Sequence, residues 1–168
     1  MKNSRFCGSN SETQISSFAK VVCLGYYDGP TMGLALSTKP ETAYRFEIAA
    51  WDSHCENRVY ALAETHLSTF DSLVQILEQI EPPRWPVWVP RWQFDSAEQE
   101  NQVSKQVDKV LAEIPPSDCV IATDELDKRI LACRELGVDA IRHLPKSGAL
   151  PNAGEWSFWQ EYLGLGKG

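Results

Sequence analysis

The residues best equipped for chemistry gather where the sequence predicts turns. Tyr26-Tyr27-Asp28-Gly29-Pro30-Thr31 sets two phenols and a carboxylate beside a Gly-Pro step, and Trp51-Asp52-Ser53-His54-Cys55 supplies a second carboxylate. Arg45, Glu47 and Arg58 fall on the strands expected to flank that second turn. Phenols, carboxylates and guanidinium groups at one end of a sheet would bind a polar small molecule. Asp28, Asp52 or Glu47 would act as a general base there if burial raised its pKa towards neutrality. Ordinary turn chemistry competes with that idea. Asp-Gly-Pro is favoured in tight turns and Asp-Ser opens loops, which accounts for everything in these segments except the doubled tyrosine.

Other combinations carry less. His54-Cys55 suggests a thiol and its base, but neighbours on an extended chain point to opposite faces, so the base would have to come from His66 or His143. The three histidines are scattered, without the spacing that puts two nitrogens on one face, and no Cys pair has zinc-ligand spacing. No metal or other cofactor is therefore expected. Glu47 is followed by Ile48 and Ala49, so the Glu-x-Lys of metal-dependent nucleases is missing. Gly164-Leu165-Gly166-Lys167-Gly168 has no helix after it and cannot form a phosphate nest.

Tryptophan is the remaining recognition chemistry. Trp85, Trp88 and Trp92 alternate with prolines, which would present rigid aromatic faces to a sugar, a peptide or a partner protein. Trp156 and Trp159 in the tail would mark an interface if left uncovered. The competing expectation is burial, the usual fate of large aromatics.

Composition narrows the partners. A net charge of −7 and a pI of about 5.0 oppose phosphate backbones and anionic lipid, so nucleic acid and membrane are not expected partners. The 17 N-terminal residues lack the apolar core of a secretory signal. Five cysteines without regular spacing read as small buried hydrophobes in a reducing compartment, hence a cytoplasmic protein. At 168 residues the chain is long enough for one self-supporting core.

The elements that must position these groups follow from hydrophobic period. Residues 1–17 are polar and read as a flexible arm. Val21–Tyr26, Met32–Ser37, Tyr44–Trp51 and Arg58–Ala63 alternate or run apolar between turn residues and predict a four-strand antiparallel meander. Along Tyr44–Trp51 the inward set would be Tyr44, Phe46, Ile48 and Ala50. A helical stripe at Phe70, Leu73, Val74, Leu77 and Ile80 follows a Ser68/Asp71 capping pattern and ends at Pro82-Pro83. The Trp-Pro segment cannot be a central strand and predicts an edge or connector, with brief pairing near Trp92–Phe94. Ser96 and Gln99 cap a second helix reaching Ile114. A short strand at Asp118–Ala122, a helix from Thr123 or Asp124 to Leu136 closed by Gly137, and a strand at Val138–His143 would make one parallel βαβ unit.

The expected fold is α+β and two-layered: the meander, then alternating helices and short strands, as a single domain over residues 18–144. A tail at 145–168 carries a short aromatic helix. For function, the favoured expectation is a non-catalytic binding or interaction module that holds another protein or a polar small molecule. Its binding residues would come from Tyr26, Tyr27, Arg45, Arg58, Trp88, Trp156 and Trp159. The alternative is a small-molecule enzyme with hydrolase-like acid–base chemistry at the turn end of the meander. No residue pattern specifies an oligomeric state.

Overall fold

Four strands open the computed structural model, which describes residues 15–38, 41–54, 56–90, 92–146, 148–152 and 155–166. They are β1 (Phe18–Tyr26), β2 (Pro30–Ser37), β3 (Ala43–Trp51) and β4 (Arg58–Thr65), each antiparallel to the next. Their order is the predicted meander. The β1–β2 turn closes with the Tyr27 N–H donating to the Gly29 carbonyl at 2.9 Å. Asp28 takes a left-handed φ of 48° and Gly29 a φ of 144°, conformations that Asp tolerates and Gly adopts freely.

Helix α1 (Leu67–Glu78) follows, then β5 (Val87–Trp88), α2 (Ala97–Ala112), β6 (Cys119–Thr123), β7 (Ile130–Glu135), α3 (Val138–Ile141) and α4 (Glu155–Tyr162). All seven strands form one sheet in the order β5-β1-β2-β3-β4-β6-β7. The Trp-Pro segment supplies an edge strand, as expected from its missing donors, and β5 pairs parallel to β1. Trp92 to Phe94 does not pair; its two rings pack against each other, 5.9 Å between centroids.

Several expectations need correction. The segment from Asp124 to Leu136 is not a helix, and the described residues from Asp118 to His143 form no parallel βαβ unit. Residues 130–135 are strand β7, paired antiparallel with β6. The Thr123 hydroxyl lies 2.7 Å from the Glu125 carbonyl and 2.9 Å from that of Arg129, tying off the loop that a helix cap would have opened. Val138–Ile141 is a helical turn instead of a strand. Gly137 caps its start with φ −73°, not the left-handed end of a preceding helix. Helix α1 begins at Leu67, so its N-cap is His66 and no side chain caps it. The Ser96 pattern is real: Ser96 Oγ accepts from the Gln99 N–H at 3.1 Å, and Gln99 Oε1 accepts from the Asp95 N–H at 2.6 Å.

The sheet curls until one face packs on itself. Val21, Cys23, Ala35, Tyr44, Phe46, Ile48, Tyr60, Leu62 and Ile121 meet there with Ile15, Phe18 and Leu126, and among the described residues no helix contributes. The Ile130 N–H donates to the Ser16 carbonyl at 3.3 Å, so the far strand reaches the chain just before β1. Ile15 is buried in this interior, so the chain is packed from its first described residue; residues 1–14 lie outside the described set. The opposite face is covered by helices. Phe70, Leu73 and Leu77 of α1 and Val103 and Val107 of α2 sit on Val22, Leu34, Ala43 and Ala63. Trp159 of α4 sits on Ala49, Ala50, Val59, Val120 and Ala122. Each fully buried Leu, Phe or Val contributes roughly 1.5–3 kcal/mol, so both layers matter to stability.

A bulge in β3 corrects one further expectation. The register shifts between Ile48 and Ala50, and Ala50 joins Ala49 under α4 while Trp51 returns to the inner face.

Candidate functional site

Antiparallel pairing sends three hairpin turns to one end of the curled sheet. The β1–β2 turn holds Asp28 and Gly29, the β3–β4 turn holds Glu56, and Arg58 pairs with Thr123, which starts the β6–β7 loop. Between these turns and β5 lies a cavity of about 730 Å³, the mouth of the self-packed interior. Val87, Val89 and Leu126 make its apolar wall, Tyr60 and Arg58 its polar depth, and Tyr26, Asp28, Glu56, Asp124 and Asp127 its edge.

Arg58 is the unusual member. It is 7 % exposed on β4 and points inward with Tyr60 and Leu62. Its Nη2 donates to the Asp28 carbonyl. Nη1 has no hydrogen-bond acceptor among the described residues. The guanidinium lies so close under the β1–β2 turn that a Cβ on Gly29 would collide with it. Glycine is favoured there for its φ, and its missing Cβ leaves the guanidinium room for this approach.

The neighbouring phenol is fixed and neutral. Tyr60 O–H donates to the Pro30 carbonyl at 2.8 Å. Burial pushes its pKa well above the ordinary tyrosine value, with Arg58 opposing part of the rise. Behind it, burial pushes the Cys23 thiol up to about 12, aided by the negative charge of Asp127. Neither group offers a base or a thiolate near neutral pH. Among the described residues no imidazole lines the cavity.

The structure brings Tyr26, Asp28 and Arg58 together in this cavity and sends the other predicted residues elsewhere. Tyr27 is exposed and leans on Trp51, with ring centroids 6.4 Å apart. Arg45 and Glu47 lie on the helix-covered face, 3.8 Å apart, beside a separate hollow of about 190 Å³. Asp52 is occupied by its own turn: its carboxylate accepts from the N–H groups of His54, Glu56 and Asn57 and from Asn57 Nδ2. Trp88 and Trp159 are fully buried and present no surface to a partner, and Trp156 is partly buried. Cys55 lies outside the described residues. Tyr60, Glu56, Arg84 and the Asp124–Asp127 loop also line the cavity, and sequence reasoning missed them. A period-two reading of residues 130–135 would have signalled the last of these by making Asp124–Arg129 a hairpin loop.

Among the described residues no three His, Cys, Asp or Glu side chains converge as metal ligands, and no helix is long and apolar enough to cross a membrane. Comparison with known protein families, with curated proteins and with solved structures finds no match for this chain.

Proposed function

We propose that this protein is a non-catalytic binding module that holds a small polar molecule in the cavity at the mouth of its curled sheet. One observation carries the proposal: a guanidinium that is 7 % exposed lines the cavity and keeps one terminal nitrogen without a protein acceptor. Nη1 itself is sealed under the β1–β2 turn, so an anionic ligand group would meet the guanidinium from its cavity side and supply the counter-charge that a buried cation otherwise lacks. The cavity volume lies within the range of about 300–1,000 Å³ usual for small-molecule sites, and its wall is apolar with few convergent polar groups.

Support for a binding role over acid–base catalysis comes from the carboxylates. Of Asp28, Asp52 and Glu47, only Asp28 lines the cavity, and it stands with Glu56, Asp124, Glu125 and Asp127 at the opening, where all but the half-buried Asp127 are exposed to water instead of enclosed with a substrate. A cytoplasmic setting belongs to the same proposal. Its support is the cysteine usage: five cysteines without the regular spacing of a disulfide framework suit a reducing compartment.

The test is a thermal-shift screen of amino acids, short peptides, sugars, nucleosides and carboxylic acids, run in parallel on the Arg58→Met variant. At least one class should raise the melting temperature of the wild-type protein and leave the variant unchanged. No response in any class, or one that survives R58M, would overturn the proposal.

A further inference from the structure

The cavity sorts its charges by depth, and we infer from this that its ligand is a zwitterion of short-peptide size, with an anionic end held at Arg58 and an ammonium end held by the carboxylate edge. The inference rests on the binding role proposed above and names the ligand class. Arg58 is deep, whereas Asp28, Glu56 and Asp124 are exposed at the opening and Asp127 is half-buried there. Two charges at the opening are already matched: Glu125 pairs with Lys128 Nζ at 2.8 Å, and Arg84 pairs with Glu81 at 3.0 Å. What remains is a positive floor behind a negative edge.

That arrangement opposes ions of a single sign. An anion seeking Arg58 must pass four carboxylates within about a Debye length, and a cation attracted by those carboxylates gains nothing from the guanidinium behind them. A molecule carrying both charges satisfies both layers. A carboxylate is the natural partner for the guanidinium, because charge-assisted N–H···O bonds to it are short and strong. The two charges must also be separated by a stretch that suits Val87, Val89 and Leu126 on the wall. A di- or tripeptide with free termini has this layout: a carboxylate at one end, an ammonium at the other, and side chains between.

The experiment uses mixed-sequence tripeptide pools in four end-group states: both ends free, N-acetylated, C-amidated, and both blocked. Each is titrated calorimetrically against the full chain and against the Asp124→Asn/Asp127→Asn double variant. The pool with both ends free should bind at least tenfold tighter than either singly blocked pool. The double variant should lower its affinity towards that of the acetylated pool. Circular dichroism would establish that the variant is folded, and the single Asp124→Asn variant serves if it is not. Equal binding of a blocked pool, or undiminished binding by the variants, would overturn the inference. If no pool binds but another class in the wider screen responds through Arg58, the ligand class is wrong and the binding role stands. If nothing in that screen responds, both fall.

Discussion

Two arginines on one sheet have opposite surroundings. Arg45 on β3 faces the helices, with a quarter-exposed Glu47 3.8 Å away and a hollow of about 190 Å³ beside it. Arg58 on β4 faces the interior, lines a cavity of about 730 Å³, and bonds a backbone carbonyl instead of a carboxylate. Strand parity alone separates them: the even-numbered residues of β3 and β4, Tyr44, Phe46, Tyr60 and Leu62, fill the inner face, and Arg58 follows them. The comparison shows what makes a polar residue a site candidate. Arg45 has a counter-charge within the fold, although its Nε, like Nη1 of Arg58, is buried without a hydrogen-bond partner among the described residues. A charge held by one carbonyl in a buried setting still has bonding capacity to offer.

Methionine at each position gives the largest expected contrast. Arg58→Met should weaken the captured ligand at least about 30-fold, since truncating one partner of a buried charged pair costs about 2–5 kcal/mol. Stability should stay within about 2 kcal/mol of wild type, because an apolar replacement removes an unmatched charge while losing one bond to Asp28. Arg45→Met should leave binding unchanged and move stability by no more than about 1 kcal/mol, the scale of a solvent-screened pair. Calorimetric titration and urea unfolding of both variants would measure this. Loss of 4 kcal/mol or more on R58M would make Arg58 a structural clamp and erase the contrast.

Alkaline pH should attack the inner face next. Burial raises the Cys23 thiol from an ordinary 9.0 to about 12, and raises Tyr44 and Tyr60 as well. With folded values above unfolded ones, the folded state keeps protons that the unfolded chain releases. The contribution of Cys23 to stability is therefore complete below pH 9 and lost as pH rises towards 12. Each such group steepens the fall by about 1.4 kcal/mol per pH unit. Urea midpoints should be flat up to pH 9 and decline above it, and Cys23→Ala should remove one group's share of that slope. An unchanged slope in the variant would mean that the thiol is not the group titrating.

The same parity made much of the meander legible. Alternation from Tyr44 to Ile48 and the Asp-Gly turn announce β1 to β4 from local sequence, and Arg58 can be assigned an inward position by counting. The second hairpin could not be read locally. Leu126, Ile130 and Leu131 imitate a helical stripe, and Thr123-Asp124 imitates a cap. Only the pairing of Arg58 with Thr123, a contact between distant parts of the chain, shows that this stretch must turn back at the mouth of the sheet. Half of the candidate site was hidden for that reason: Tyr26, Asp28 and Arg58 belong to the meander, whereas Asp124 and Asp127 come with the hairpin. Proline and tail context offers Trp88 and Trp159 as surface residues, against the usual burial of large aromatics. Both fill the helix-covered face instead.

The smallest expected effect decides which polar group in the cavity does the holding. Tyr60 stands beside Arg58, but its O–H is committed to the Pro30 carbonyl at 2.8 Å. Tyr60→Phe keeps the ring and its edge-to-face contact with Phe46, at 5.6 Å between centroids, and deletes that bond together with the phenol oxygen's interaction with Arg58. The expected loss is about 1 kcal/mol of stability, the usual net value of one hydrogen bond, with binding changed by only a fewfold. Chemical unfolding together with titration of the same ligand used for R58M would separate the two contributions. If Y60F weakened binding as much as R58M does, the phenol would have to leave Pro30 to meet the ligand, or act through Arg58. A large loss in Y60F with the stability change still near one hydrogen bond would thus show that the phenol, by meeting the ligand or by orienting the guanidinium its oxygen touches, shares the holding with Arg58.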